Sequence, residues 1–135
     1  MTRGRIGSAL AAMMLVAGSG SPLLGQQRPA GTQRSDLQQH DLSIPGREVL
    51  QARVEFAPGA SFPRHKHPGE EIIYVLEGAI EYDVDGKRPQ TLKAGEVLFV
   101  PFGVVHAARN VGRVPAAELG TYVIEKGKPL TEIVK

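Results

Sequence analysis

The stretch that decides the fold runs from Gly59 to Gly78 and reads G-A-S-F-P-R-H-K-H-P-G-E-E-I-I-Y-V-L-E-G. Within it, His65 and His67 stand two residues apart, and Glu71 follows four residues after the second histidine. Residues i and i+2 of a β-strand point to the same face, roughly 6.5–7 Å apart, so two imidazoles at this spacing can converge on one metal ion. The Pro-Gly pair at 68–69 is a turn signal. The stretch therefore predicts a strand, a turn and a second strand that direct three metal ligands toward one point.

A second stretch, from Gly95 to Asn110, reads G-E-V-L-F-V-P-F-G-V-V-H-A-A-R-N and supplies a further histidine, His106. Together the two stretches resemble the paired sequence motifs of the cupin family. The matching positions are Gly59, His65, His67, Glu71 and Gly78 in the first motif, and Gly95, Pro101, Gly103, His106 and Asn110 in the second. The resemblance extends from about residue 47 to residue 125, and each ligand position carries the residue type of the family pattern.

The resemblance implies an all-β fold, a cupin double-stranded β-helix or jelly-roll barrel. Turn residues recur every eight to twelve positions, which is also typical of short antiparallel strands. A closed barrel brings strands that are distant in sequence to one lumen, so we expect His106 to join His65, His67 and Glu71 as a metal ligand. The resemblance further implies a homodimer.

Composition places limits on the fold and on the metal site. The chain has 135 residues, which suits one domain, and its 16 glycines and 10 prolines favour an all-β chain rich in turns. Cysteine is absent, so there is neither a disulfide framework nor a thiolate site, and any metal must be held by nitrogen and oxygen. A divalent transition metal is the one cofactor that the sequence predicts.

The N-terminus carries a separate signal. Residues 1–25 begin with two arginines and continue as an uncharged apolar or small-residue stretch, which predicts a secretory signal peptide and export to a periplasm or beyond. An uncleaved membrane anchor is the alternative, although the apolar heart at 9–17 is short for a span. Cleavage would leave fourteen basic and fourteen acidic residues. A neutral mature domain argues against nucleic-acid binding and, once the signal is removed, against membrane binding.

The remaining chain divides into three segments. Residues 26–46 are polar and predict a linker or an N-terminal arm, residues 47–125 the barrel, and residues 126–135 a charged tail. The run 47–56 alternates apolar and polar residues as a half-buried strand does. The run 71–76 is apolar on both faces, so we expect the N-terminal arm or a partner subunit to cover its outer face.

Three imidazoles and one carboxylate suit Mn, Fe, Co, Ni, Cu or Zn, and four protein ligands leave two positions open on a six-coordinate ion. The leading hypothesis is a dioxygenase or oxidase acting on a small molecule, with Glu71 as a base that shifts off the metal. Its apolar pocket is expected to contain Phe56, Ile73, Val75 and Val104, and no second carboxylate stands out as a base. The alternatives are a non-enzymatic exported module that binds a metal or small ligand and, with weaker support, a sugar isomerase or epimerase.

Overall fold

The computed structural model describes residues 29–135, and the predicted signal peptide at 1–25 lies outside them. This part of the chain forms ten β-strands in two antiparallel sheets of five. In chain order the strands are β1 (Thr32–Asp41), β2 (Arg47–Phe56), β3 (Ser61–Lys66), β4 (Gly69–Glu77), β5 (Ala79–Val84), β6 (Gln90–Lys93), β7 (Val97–Val100), β8 (His106–Asn110), β9 (Ala116–Glu125) and β10 (Glu132–Ile133). The first sheet has the order β1-β2-β9-β4-β7 and the second β10-β3-β8-β5-β6. The predicted all-β jelly-roll barrel is confirmed. Across 29–135, no helix has the length and apolar character that a membrane span requires.

The core fills the space between the inner faces of the two sheets. Strand β2 shows how the sequence builds it, because every second residue from Glu48 to Phe56 is buried and the others are partly exposed. The main apolar cluster consists of Val54, Phe56, Ile73, Val75, Ile80, Tyr82, Val84, Leu92, Leu98, Val100, Ala108 and Ala116. It draws on strands of both sheets, so the period-two pattern of each strand sets which side chains enter the barrel.

Asn110 ties the end of β8 to neighbouring backbone. Its side-chain amide donates hydrogen bonds to the carbonyl oxygens of Phe56 (3.0 Å) and Val114 (2.8 Å). Its Oδ1 accepts a hydrogen bond from the backbone N–H of Gly112 at 2.8 Å. The residue is 1% exposed. The second motif therefore ends in a side chain that satisfies three backbone groups at one end of the barrel.

The segments on either side of the predicted barrel both contribute strands. Residues 26–46, expected as a linker or arm, contain β1, which pairs along β2 from Thr32 opposite Phe56 to Asp41 opposite Glu48. Residues 126–135, expected as a tail, contain β10, which pairs with the end of β3. The barrel sheets therefore extend beyond residues 47–125 on both sides.

The outer face of β4 and β7 exposes large apolar side chains. Ile72 lies opposite Phe99, and Tyr74 lies opposite Val97. These four residues, which we call the outer apolar patch, are 45–65% exposed. Strand β1 lies at the opposite edge of the same sheet, so the described part of the N-terminal arm does not cover the patch.

Candidate metal centre

The four predicted ligands meet inside the barrel. His65 lies near the end of β3, His67 follows that strand, Glu71 lies on β4, and His106 begins β8. Their exposures are only 6%, 5%, 2% and 2%. Ring centroids of His65 and His106 are 4.1 Å apart, and that of His67 lies 4.9 Å from His65 and 5.1 Å from His106. One ring nitrogen from each histidine lies within 4.8 Å of the other two, a grouping that one metal ion can bridge.

Backbone carbonyl groups fix the orientation of all three imidazole rings. The Nδ1–O distances are 2.7 Å from His65 to Pro63, 2.7 Å from His67 to Leu130 and 3.1 Å from His106 to Val104. A carbonyl oxygen only accepts hydrogen bonds, so Nδ1 of each ring carries the proton and donates it. Each Nε2 is then left to present its lone pair, which is how histidines that bind metals are held in proteins.

Glu71 brings a carboxylate to the same point. Its Oε2 lies 3.3 Å from Nε2 of His67 and 3.0 Å from Nε2 of His106. In the described part of the chain, this Oε2 and Nε2 of His67 are both buried without a hydrogen-bond partner. Buried acceptors that face each other without a donor are costly. A cation would satisfy them together, so these residues fit a divalent metal.

The electrostatics of the group also favour a cation. Burial, followed by the nearby charges of His106 and His67, lowers the pKa of His65 to about 3. Burial acts to raise the pKa of Glu71, but the contacts with His106 and His67 outweigh it and hold that pKa below its usual range. Burial acts to lower the pKa of His106, and the hydrogen bond and charge of Glu71 reverse that effect and raise it. The ionised carboxylate of Glu71 therefore lies among imidazole nitrogens, where a bound cation would balance its charge.

The histidines form part of the lining of a cavity of about 50 Å³. That volume is enough for roughly three or four water molecules or a few atoms of a ligand. Its apolar lining includes Phe56, Phe62 and Ile73. Two of the expected pocket residues, Phe56 and Ile73, are therefore in place. Val75 is instead buried in the core cluster and Val104 packs against that cluster.

Sequence reasoning missed a second carboxyl group in the same cavity. Glu118, on β9, is 5% exposed and accepts a short hydrogen bond from the hydroxyl of Tyr82 through Oε2. Burial, followed by the charge of Glu71, raises the pKa of Glu118 to about 8, although the hydrogen bond from Tyr82 opposes this. Tyr122, packed edge-on against His67 at 4.9 Å, and Arg34 on β1 also line the cavity. Burial raises the pKa values of Tyr82 and Tyr122 as well.

Other charged residues near the first motif face outward. Arg64 pairs with Asp85 at 2.7 Å, and Lys66 pairs with Glu132 at 3.1 Å. Both are the solvated side chains that strand alternation predicts. The fourth histidine, His40, is exposed on β1 and does not belong to the site.

Comparison with known proteins agrees with this geometry. The family model described as a cupin domain matches residues 52–124, more than half of the chain. A germin-like protein from Arabidopsis thaliana (subfamily 2 member 2) is 39% identical over 87 residues, which cover 58% of this chain and 40% of that protein. A dimethylsulfoniopropionate lyase from Ruegeria pomeroyi is 40% identical over 67 residues, which cover 49% of this chain and 33% of the lyase.

Solved structures give the same result at the level of the fold. An oxalate oxidase in complex with its substrate analogue glycolate superposes with a TM-score of 0.64 at 26% identity, covering 88% of this chain and 66% of that one. The matched region spans less than half the length of each of the two curated relatives.

Proposed function

This chain belongs to the cupin family, and from that premise we propose that it is a metal-dependent oxidoreductase, of the oxidase or dioxygenase kind, that acts on a small molecule. One observation supports the proposal: three imidazole rings fixed by backbone carbonyls converge inside the barrel, and the carboxylate of Glu71 lies beside two of them, His67 and His106. The group lies in a cavity that also has room for a ligand.

We assign the metal-holding role to His65, His67, Glu71 and His106. When bound, a divalent ion of Fe, Mn, Ni, Cu, Co or Zn would supply Lewis acidity, and a redox-active one would also supply electron transfer. The Nδ1–carbonyl hydrogen bonds hold the three rings in place in advance, so little reorganisation is required when the ion binds. The low pKa of Glu71 keeps it ionised, which suits a ligand to a cation.

The cavity walls define the size and surroundings of the substrate. Phe56, Phe62 and Ile73 give the cavity an apolar part of its wall. Arg34 places a guanidinium, paired with Asp36 at 2.8 Å, among the lining residues. A small, polar or anionic molecule fits such a cavity. The similarity to oxalate oxidase, solved with the small hydroxy acid glycolate, supports this class of reaction and of ligand.

A lyase is the second candidate. It is favoured by the 40% identity to dimethylsulfoniopropionate lyase and by Glu118, a buried carboxyl group available for proton transfer in the same cavity. An oxidase would consume oxygen, whereas a lyase would turn over its substrate without oxygen. Oxygen uptake during turnover therefore separates the two.

Metal analysis is the first test. The mature chain, residues 26–135, is purified without a histidine tag and assayed for bound metal beside His106→Ala and Lys66→Ala. We expect about one equivalent of metal in the wild type, because residues 29–135 contain one such cluster of ligands, and its loss in His106→Ala. Lys66→Ala is the matched control, because Lys66 neighbours two ligands but pairs outward with Glu132. Equal metal contents in His106→Ala and the wild type would contradict the assigned ligands.

We also propose that the chain is exported and acts as a homodimer. Export rests on the basic and apolar residues of 1–25, which lie outside the described residues. The proposal of a homodimer rests on the outer apolar patch. Four large apolar side chains lie next to each other on two neighbouring strands, and contiguous exposed apolar surface of this kind is typical of a protein interface. A second copy of the chain would bury the same patch on both subunits.

A further inference from the structure

We propose that Glu118, hydrogen-bonded by Tyr82, is the proton-transfer group for a small anionic ligand held in the cavity. This inference rests on the proposed function, because it takes the ligand to occupy the cavity beside the metal centre. It adds a group from β9 and a group from β5 to a site whose four metal-holding residues come from β3, β4, β8 and the turn after β3.

The position of Glu118 follows from the register of the first sheet. Glu118 lies opposite Val54 on β2 and Val75 on β4, and both of these are core residues. Directly opposite residues of an antiparallel pair point to the same side, so the Glu118 side chain enters the barrel. Tyr122 lies four residues further along β9, about 13 Å between Cα atoms, and packs against His67. Glu118 and the four metal-holding residues thus line the same cavity.

Gly120 makes room for the ring of Tyr122 in this cavity. A Cβ atom built at Gly120 would lie 2.6 Å from the hydroxyl oxygen of Tyr122. Glycine therefore leaves room for the Tyr122 ring beside position 120, and the hydroxyl of that ring hydrogen-bonds Glu71. A larger residue at 120 would displace this ring, which packs against His67.

The surroundings of Glu118 favour its neutral form. In the described residues it makes no ion pair, and its hydrogen bond comes from the neutral hydroxyl of Tyr82. The other titratable or charged groups that line its cavity are Glu71 on β4, Tyr122 on β9, Arg34 on β1 and the three histidines of the metal centre. Arg34 is paired with Asp36, so the nearby charge that acts on Glu118 most strongly is that of Glu71. With its pKa raised to about 8, Glu118 carries a proton at neutral pH.

The proton transfer balances without any further reactant. The O–H bond of the Glu118 carboxyl group breaks, an O–H bond forms on an oxyanion of the ligand, and the negative charge moves from the ligand to Glu118. The hydroxyl of Tyr82 already donates to Oε2 and stabilises the resulting carboxylate. In reverse, the ionised carboxylate takes a proton from the ligand.

Infrared spectroscopy of the protein with and without bound metal tests the proposal. We expect a carboxylic-acid C=O band that titrates near pH 8 in the metal-free protein and at a lower pH in the loaded protein. The band should shift when glycolate or acetate is added and should be missing in Glu118→Gln. Glu48→Gln is the matched control, because Glu48 is also a buried glutamate of this sheet but accepts a hydrogen bond from Gln39 outside the cavity. Calorimetry in two buffers of different ionisation enthalpy should show proton uptake with glycolate in the wild type, approaching half a proton per ligand near that pH, and none in Glu118→Gln.

Three results would overturn the proposal: a wild type that lacks the band, a band that persists in Glu118→Gln, or a Glu118 band that neither glycolate nor acetate moves. The metal content of the same samples keeps the two proposals separate. A wild type without metal that still shows the ligand-sensitive band would remove the metalloenzyme and leave the proton-transfer group. A protein that holds metal but lacks the band would do the opposite.

Discussion

Replacing Glu118 with Gln should make the protein less sensitive to rising pH. Gln keeps the size and the acceptor oxygen for Tyr82 but never ionises. In the unfolded chain a glutamate titrates near its ordinary pKa of 4.5, whereas in the folded protein burial raises the pKa of Glu118 to about 8. Between these values the folded state holds a proton that the unfolded state has lost. The stabilisation is therefore fully present below pH 4.5 and is lost as the pH rises through about 8.

The magnitude follows from the two pKa values. Each pH unit between them costs about 1.4 kcal/mol, so the loss is roughly 3 kcal/mol at pH 7 and about 5 kcal/mol above pH 8. A domain of this size is stable by about 5–15 kcal/mol in total, so the effect is large enough to measure. Over the same range Glu118→Gln should gain stability relative to the wild type by about 1.4 kcal/mol per pH unit.

The assay is urea unfolding of the metal-free protein at several pH values between about 5 and 8. Wild type, Glu118→Gln and the control Glu48→Gln are compared at each pH, and only the change of their differences with pH is used. Tyr82→Phe provides a second variant, because removing its hydrogen bond should raise the pKa of Glu118 further. A difference between wild type and Glu118→Gln that stays constant with pH would refute the reasoning. An equal slope for Glu48→Gln would do so as well, because the effect would then not depend on the cavity.

Three further predictions concern the metal, the barrel end and the outer apolar patch. Metal affinity should fall about ten-fold per pH unit once the pH drops below the raised pKa of His106, because the proton and the ion compete for Nε2. Competition with a chelator measures this affinity. An affinity that does not change with pH would mean that His106 is not a ligand. Asn110→Ala should lower the free energy of unfolding by about 3 kcal/mol or more, because three backbone groups lose their partner; urea unfolding that shows a loss below about 1 kcal/mol would contradict this account. Phe99→Asp should convert a dimer into a monomer, because Phe99 is 51% exposed in the outer apolar patch and a charge there would oppose its burial. Analytical ultracentrifugation should show this change while the metal content stays the same. A dimer that persists would place the interface elsewhere.

The convergence of His65, His67, Glu71 and His106 could be expected from the sequence, because the two motifs carry these residues. The spacing of His65 and His67 fixes a shared strand face, and the second motif places His106 at the start of another strand. Glu118 was harder to identify, since its inward direction depends on the alternation along β9 and on which residues of β2 and β4 lie opposite. Its partner Tyr82 comes from the other sheet, so only barrel closure brings the two together.

Two other features, strand β1 and the backbone group that orients His67, carry no side-chain pattern that would predict them. The sequence of β1, T-Q-R-S-D-L-Q-Q-H-D, lacks the apolar alternation of a strand, and its pairing with β2 depends on backbone hydrogen bonds. The group that orients His67 is the backbone carbonyl of Leu130. A carbonyl is present at every residue, so no side-chain pattern marks the one that a ring will use.

Two carboxyl groups in one buried cavity take opposite protonation states, and each state follows from its neighbours. Glu71 has imidazole nitrogens within 3.3 Å and remains ionised, whereas Glu118 has a phenol and no cationic partner in the described residues and remains protonated. The charge on Glu71 contributes to the protonation of Glu118, because a second negative charge in the same low-dielectric space is unfavourable. A cation bound at Glu71 would cancel much of that field and move the pKa of Glu118 back toward its ordinary value. The binding of the metal and the pKa of Glu118 are therefore linked through the charge of Glu71. When the metal is bound, the pKa of Glu118 should lie closer to neutral pH than when the site is empty.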